Sequence, residues 1–516
     1  MTPRRSGITG VIDEPLARRI GIAAVGLSLC ASFVLMILYR ELGGPGDQLV
    51  YYQQATKLLP FNDNYYGPVY FVLLRVVHDT TRLGWFASGK LLSWFAAIVT
   101  LFLVGRLLLV LLPRSVAWLS LALIAANPTF IGESYSALTS MLGAAMITLA
   151  ICLTVTTSSE RPQRWFAVGV MFGVAALTRF QANGFLLGAI AGAVVFTGVP
   201  WRRRVAIAAA IAVGAILPVI AWNAFLKVAQ GYTPPNYNFV HLTNALGKLQ
   251  SFSDVDDLIR TYRSTWGVLT SGPLAMPRIA AYALKEAVVF PFFVGLPLLF
   301  VAAGFLLPGA VRLLLDKRSY APWLGAYLSG FLLTGIGSMR WLHYYLAVLP
   351  FLVLLVAYAL DALAHAPPRS AARIAWVGLL VSTFAFSLYR CRVDFLNRYW
   401  PEFTVARQWI ERAAPNAMVS ATAGGLRYGS MFRFIDLDRL MTVKDWPDLV
   451  PRLRKAGVTH LVISARHGTD VYPQMDGLLL VQPTGVPAGL QRDTLIVDPQ
   501  PLAIYRVLPP SPPDNR

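Results

Sequence analysis

Four stretches of this sequence hold polar residues whose type and setting could do chemistry. Asp47 follows Gly43-Gly44-Pro45-Gly46, a turn-forming stretch just after a long apolar run. A carboxylate held there can act as a general base toward a hydroxyl, or it can cap the helix that follows. Glu133 stands in Asn127-Pro128-Thr129-Phe130-Ile131-Gly132-Glu133-Ser134, a brief turn between two apolar segments. An acid so close to apolar surroundings is costly unless it works or is solvated. Arg179 sits in the tight turn Thr178-Arg179-Phe180-Gln181-Ala182-Asn183-Gly184, and Arg340, His343 and Tyr345 lie in Ser338-Met339-Arg340-Trp341-Leu342-His343-Tyr344-Tyr345. Guanidinium groups hold phosphate oxygens in a planar fork. The same mixture of Arg, Trp and Tyr also anchors chains at any membrane surface.

Other polar groups carry less. Asp254, Asp256 and Asp257 could bind a cation, but Ser253-Asp254 reads more simply as the opening of a helix. Histidines show no ligand spacing, His460 and His467 being the closest pair, so no metal site is expected from pattern alone. Three scattered cysteines give neither a disulfide framework nor a metal motif. There is no phosphate-cradling glycine loop, no Gly-x-Ser-x-Gly and no kinase signature, which argues against nucleotide-driven chemistry.

These residues must be positioned by membrane helices. Hydrophobic residues make up 56% of the 516 positions and charged ones 14%, against about 45–50% and about 25% in soluble domains. The charge is uneven: residues 1–389 hold 29 Lys/Arg and 14 Asp/Glu, residues 390–516 hold 16 and 12. The net charge of +19 does not indicate nucleic-acid binding, because most basic residues outside the tail fall in short loops between apolar runs. Spans are expected near 20–39, 88–112, 115–131, 136–156, 165–178, 183–199, 205–225, 286–308, 320–337, 342–361 and 374–389. Basic loops at 157–164 and 201–204 make 165–199 a hairpin turning at Thr178–Gly184 rather than one tilted span.

The expected fold is thus an α-helical polytopic membrane protein of about eleven transmembrane helices with a C-terminal extracytoplasmic α/β domain. Residues 1–389 form the membrane domain, with outer loops at 40–87 and 226–285, and 390–516 the α/β domain. In the tail, Val405–Ala413 and Pro447–Lys455 have helical spacing, and Ala417–Thr422, Val458–Ser464 and Ala503–Val507 read as strands. The first apolar run ends in Tyr39-Arg40 without a cleavage site, so it reads as an uncleaved span. The basic loops place the N-terminus in the cytoplasm and the tail in the periplasm or outside, in a bacterial inner membrane.

The order of these motifs resembles a known family. Gly46-Asp47, Tyr66-Gly67-Pro68-Val69-Tyr70, Asn127-Pro128 with Glu133, Leu177-Thr178-Arg179-Phe180-Gln181, and Arg340-Trp341-Leu342-His343-Tyr344-Tyr345-Leu346 running into Leu349-Pro350-Phe351 are similar to the GT-C superfamily of lipid-linked-sugar glycosyltransferases. The nearest branch looks like bacterial relatives of protein O-mannosyltransferases and of the lipid A aminoarabinose transferase. The resemblance spans roughly residues 20–365. It implies inverting transfer of a sugar from a polyprenyl-phosphate donor to an envelope glycan, glycolipid or protein, metal-independent or loosely assisted by a divalent cation. Asp47 matches the family's first-loop acid, the base, alone or shared with Glu133. Arg179, Arg340, His343 and Tyr345 would hold the donor phosphate. Two positions depart from the pattern: Gln48 stands where a second acid is frequent, and Gly67-Pro68 where Pro-Pro is frequent. A transporter or flippase, or an envelope polysaccharide polymerase, is the alternative. A transporter would favour mid-span acids and internal repeats, whereas here the polar residues concentrate at one outer face.

Overall fold

The structure is a computed structural model. It describes residues 13–38, 47–61, 67–157, 162–195, 199–234, 238–248, 255–293, 321–337, 342–364, 401–422, 432–437, 443–465, 473–498 and 500–510, with a few single positions between. The chain parts into two compact units, one of Met1–Arg40 with Gln54–Asp394 and one of Glu41–Gln53 with Phe395–Arg516.

The larger unit is helical. Its elements are α1 (Glu14–Leu38), α2 (Asp47–Thr56, shared with the second unit), α3 (Pro68–Thr81), α4 (Trp85–Leu111), α5 (Arg114–Ala125), α6 (Pro128–Ser134), α7 (Thr139–Thr156), α8 (Pro162–Ala176), α9 (Ala182–Val195) and α10 (Trp201–Gln230). Three short helices follow, α11 (Val240–Asn244), α12 (Val255–Tyr262) and α13 (Thr265–Leu269). Then come α14 (Ala275–Phe293), α15 (Ala321–Gly337), a 3-10 turn (Leu342–Tyr345) and α16 (Leu349–Ala364). Among the described residues four helices, α1, α4, α7 and α10, are long and apolar enough to cross a bilayer, and the chain is a membrane protein.

The span expected at 115–131 is broken. Asn127 caps α6 with its side-chain oxygen, accepting from the N–H groups of Thr129 (3.0 Å) and Phe130 (3.3 Å), and Pro128 takes the first helical position. The pair α5–α6 therefore bends by 61° and aims Glu133 away from the axis of α5. The hairpin expected over 165–199 is present, with α8 and α9 joined by the turn at 177–181.

Helices approach closely through small residues. A Cβ on Gly188 of α9 would lie 2.0 Å from the carbonyl oxygen of Gly325 on α15, and one on Gly169 of α8 would lie 2.1 Å from that of Ile211 on α10. Membrane helices pack by such contacts because lipid offers no hydrophobic drive between them. Side chains also tie helices to neighbouring backbone: Trp94 Nε1 donates to Leu29 O (3.1 Å) and Tyr358 Oη to Leu111 O (3.1 Å).

The second unit holds a five-stranded sheet of order β2-β1-β3-β5-β4. The strands are β1 (Met418–Ala421), β2 (Arg433–Asp436), β3 (His460–Ser464), β4 (Leu490–Ile496) and β5 (Leu502–Val507). β1 runs parallel to β2 and β3, while β5 is antiparallel to β3 and β4. One face packs on α17 (Pro401–Ala413) through Phe403, Ala406 and Ile410. The other packs on α18 (Leu449–Lys455) and a 3-10 turn through Leu453, Met475 and Leu478. β3 is buried at every position, as a central strand covered on both faces requires. The two strands not expected from sequence, β2 and β4, are the sheet edges. Both are short of apolar residues, and β4 is interrupted by an irregularity between Arg492 and Thr494.

Candidate functional site

Within the helical unit, the segment Glu133–Ser140 is a hub. Glu133 is buried and accepts a hydrogen bond from Ser136 Oγ at 2.9 Å. Ala137 packs on Gly89, where an added Cβ would stand 2.9 Å from it. Leu138 O accepts from Ser93 Oγ on α4 (3.4 Å). Thr139 and Ser140 open α7, and both hydroxyls accept from Arg179 Nη1, at 3.0 and 2.8 Å.

Arg179 is 8% exposed, and its guanidinium is fixed from several sides. Nε donates to Gln181 Oε1 (2.8 Å), and the ring of Tyr344 lies beneath the guanidinium carbon at 4.5 Å. Gln181 in turn donates through Nε2 to Tyr344 O (3.0 Å), locking the 178–184 turn to the 3-10 turn. Gly143, one turn into α7, leaves room for the arginine stem; a Cβ there would press on Arg179 Cβ and Cδ at 3.1 Å.

This cation has unusual company. Its hydrogen-bond acceptors are neutral, no carboxylate among the described residues pairs with it, and Nη2 makes no hydrogen bond among them. It also faces the N-terminal turn of α7, where Leu138 supplies no side-chain cap and the helix dipole is positive. A buried charge without a counter-charge costs several kcal/mol. A guanidinium gathered with a helix N-terminus can hold an anion.

The Gly67-Pro68 departure has a structural reason. A Cβ on Gly67 would lie 1.6 Å from Leu177 O, and the next residue but one, Val69, donates its N–H to that same oxygen (3.4 Å). Gly67 and Val69 thus dock by backbone against Leu177, the residue before Thr178 and Arg179.

The remaining expected residues fall as follows. His343 is half-buried, its ring 4.5 Å from that of Tyr344. Tyr345 is buried at 1% exposure, while Tyr344 is the one lying under the guanidinium. Asp47 is the first residue of α2; its side chain, and all of Arg340, lie outside the described residues. Sequence reasoning passed over Lys90 on α4, which is 4% exposed beside Gly89 in this same neighbourhood. A lone lysine inside an apolar run was the available signal. It also passed over Gln181, Thr139 and Ser140 as the clamp on Arg179.

A cavity of ≈ 440 Å³ begins at Phe180 and Gln181. Its walls are α9, α15 and the two stretches 238–242 and 263–265. His241 stacks on Phe180 (5.3 Å, 9° between planes), and burial, then the charge of Arg179, push its pKa down to about 4. Its imidazole is therefore neutral at ordinary pH.

No family model matches this sequence, and no curated protein matches it. Solved structures do. The oligosaccharyltransferase of Archaeoglobus fulgidus, in complex with zinc and sulfate, superposes with a TM-score of 0.55 at 14% identity over 86% of this chain and 68% of that one. The archaeal oligosaccharyltransferase AglB from the same organism, in complex with an inhibitory peptide and a dolichol-phosphate, gives 0.53 at 13% over 89% and 70%. ArnT from Cupriavidus metallidurans, bound to undecaprenyl phosphate, gives 0.51 at 14% over 95% and 99%. These are GT-C glycosyltransferases, and this chain has the GT-C fold.

Proposed function

We propose that the protein is an inverting glycosyltransferase that moves a sugar from a polyprenyl-phosphate donor to an envelope glycan, lipid or protein. The observation that carries this reading is the buried Arg179, held through Nε and Nη1 and with no carboxylate partner among the described residues. The leaving group of such a donor is a phosphate, an anion that suits the charge and the remaining Nη2 hydrogens. Two of the fold relatives were solved with polyprenyl phosphates.

In the reaction, an acceptor hydroxyl attacks the anomeric carbon from the face opposite the phosphate. The new carbon–oxygen bond forms as the bond to the phosphate oxygen breaks, which inverts the configuration. The hydroxyl proton passes to a carboxylate, Asp47 or Glu133, and the electron pair leaves on polyprenyl phosphate. Arg179 neutralises the departing charge, with Lys90, Arg340, His343 and Tyr345 as further donors to it. Fixed donors in a water-poor site need no reorganisation as charge develops.

One relative was solved with zinc. Among the described residues no three His, Cys, Asp or Glu side chains come together to hold such an ion, and no step here runs through one. The reading further places the protein in a bacterial inner membrane with its N-terminus cytoplasmic and its tail periplasmic, on the basic-loop pattern.

Mass spectrometry of envelope glycans and glycolipids from cells with and without the gene tests the whole reading. One sugar should vanish from one class of molecule, return with the native gene, and stay missing with Arg179→Ala. An unchanged envelope would remove the reading.

A further inference from the structure

We propose that the cavity beside Arg179 takes the saccharide, and that Arg263 in its wall selects one carrying a carboxylate or phosphate group over an amino sugar. This rests on the glycosyltransferase reading above and deepens it.

The lining fits a polyol. The volume of ≈ 440 Å³ lies within the range of small-molecule sites, about 300–1,000 Å³. More than half of the lining residues are polar, among them the amides Asn183 and Asn238 and the hydroxyls of Thr265 and Thr334. Amides and hydroxyls both donate and accept, as sugar hydroxyls demand. Phe180 and Phe239 supply apolar ring faces.

The charge balance then chooses among sugars. No Asp or Glu lines the cavity among the described residues, and Arg263 is its charged group. Among the described residues Arg263 makes no side-chain hydrogen bond or ion pair, and it lines the cavity. His241 stays neutral and adds no charge of its own. Arg179 stands next to Phe180 and Gln181 at the inner end, adding positive potential. An ammonium group entering here meets repulsion from both guanidinium groups, whereas a carboxylate or phosphate meets a fork.

The backbone at Arg263 points the same way. Its φ is +60°, the left-handed region, held by its own N–H donating to Ile259 O (3.0 Å) and by Ser264 N–H donating to Tyr262 O (2.7 Å). Glycine would be the unstrained residue there. Arg263 thus ends α12 in the left-handed conformation, as Arg82 ends α3, and this turn holds its side chain at the cavity wall.

The test uses the full-length protein in lipid nanodiscs and saturation-transfer NMR with D-glucuronate, D-glucose 6-phosphate, D-glucose and D-glucosamine as probes. The two anionic sugars should bind roughly three- to tenfold more tightly than glucose, the lower part of the charge-assisted range because Arg263 is exposed. Glucosamine should bind least. Arg263→Gln should erase the preference for the anions, Arg263→Glu should reverse it toward glucosamine, and Arg263→Gly, which relieves the backbone, should erase it in a well-folded protein. Equal binding of glucuronate and glucose by the native protein would overturn the proposal. So would a preference that survives Arg263→Glu. Undecaprenyl phosphate binding is measured in parallel. A drop in that affinity in Arg263→Gln, with the sugar preference intact, would make Arg263 a lipid-phosphate group and sink the proposal. Native protein that ignores undecaprenyl phosphate but keeps an Arg263-dependent sugar preference would remove the transferase reading and leave the pocket standing.

Discussion

The guanidinium carbon of Arg179 lies 4.5 Å from the centroid of the Tyr344 ring, and Gln181 bridges the two residues by bonding to both. Charge, fork geometry and ring are thus assembled by a turn and a helix break that are far apart in sequence. Arg179→Lys keeps the charge but loses the fork and much of the stacking. It should weaken undecaprenyl phosphate binding by about 1.5–3 kcal/mol, close to Arg179→Ala. Tyr344→Leu should cost less, about 0.5–2 kcal/mol. Equilibrium binding with a fluorescent polyprenyl phosphate measures all three. Unchanged affinity in both arginine variants would return Arg179 to the role of an anchor.

The catalytic base is decided by a pair of isosteric changes. Asp47→Asn caps a helix about as well as Asp but takes no proton. If Asp47 is the base, transfer should fall about 10²–10⁴-fold with donor affinity intact. Glu133→Gln should be the milder change in rate and, because Glu133 is buried and accepts from Ser136, the one that also lowers melting temperature. The reverse ranking in single-turnover rates would exchange the two roles.

Gly67 should tolerate no side chain. Gly67→Ala places a methyl carbon where Leu177 O stands, at 1.6 Å, so the α3 entrance or the α8–α9 turn must move. Overpacking of this kind costs about 1–3 kcal/mol. Thermal unfolding in detergent should drop, and donor binding should weaken as Arg179 shifts with its turn. A native melting temperature would show that the two motifs are not docked.

Acid should loosen the tail unit. His460 sits on β3 with Nδ1 3.0 Å from Thr459 Oγ1, Nε2 3.6 Å from Asp493 Oδ2, and Trp409 against its ring edge. Arg506, its register partner on β5, pairs with the same Asp493 (3.1 Å). Burial lowers the histidine's pKa; Asp493 pulls it up and Arg506 pushes it down, with lowering the net result. A histidine pKa lowered by folding contributes stability above its unfolded value of about 6.5, and that stability is lost as pH falls through the folded value. Hydrogen exchange of β3 and β5 in the full-length protein should therefore quicken between about pH 7.5 and about pH 5. His460→Gln should flatten that dependence; an identical slope in the variant would assign the effect elsewhere.

Sidedness can be read at Val481, which is 74% exposed in the tail unit, whereas Ser464 on β3 is buried. Val481→Cys in a background without the native cysteines should react with an impermeant maleimide in intact spheroplasts. Labelling only after lysis would invert the proposed topology.

Much of this was legible in the sequence, and the rest was not for identifiable reasons. Long apolar runs marked α1, α4, α7 and α10, and the basic loops about 165–199 foretold the hairpin, because hydropathy and charge act locally. The break at Asn127-Pro128 was hidden inside an apolar segment, although Asn followed by Pro is a helix-start signal. β3 and β5 announce themselves by continuous burial, while the edge strands β2 and β4 carry charges that mask their pattern. Arg179 was visible because a charged residue in a tight turn is costly. The hydroxyls and amide that clamp it, Thr139, Ser140 and Gln181, are ordinary polar residues that acquire meaning only through contacts 39 and 40 positions away or across a turn.

The glycine contact between α9 and α15 has a mechanical consequence. With the backbone of Gly188 seated against that of Gly325, and Phe185, Ser329 and Leu333 packed around that contact, the two helices interlock. Asn183, Gly184 and Leu187 on one helix and Leu333 and Thr334 on the other form one wall of the cavity. That wall must behave as a single stiff plate. The opposite wall comes from residues 238–242 and 263–265, at the short helices α11 and α13. Widening of the cavity therefore costs less on that side than on the plate, because short helices have fewer packed neighbours to give up.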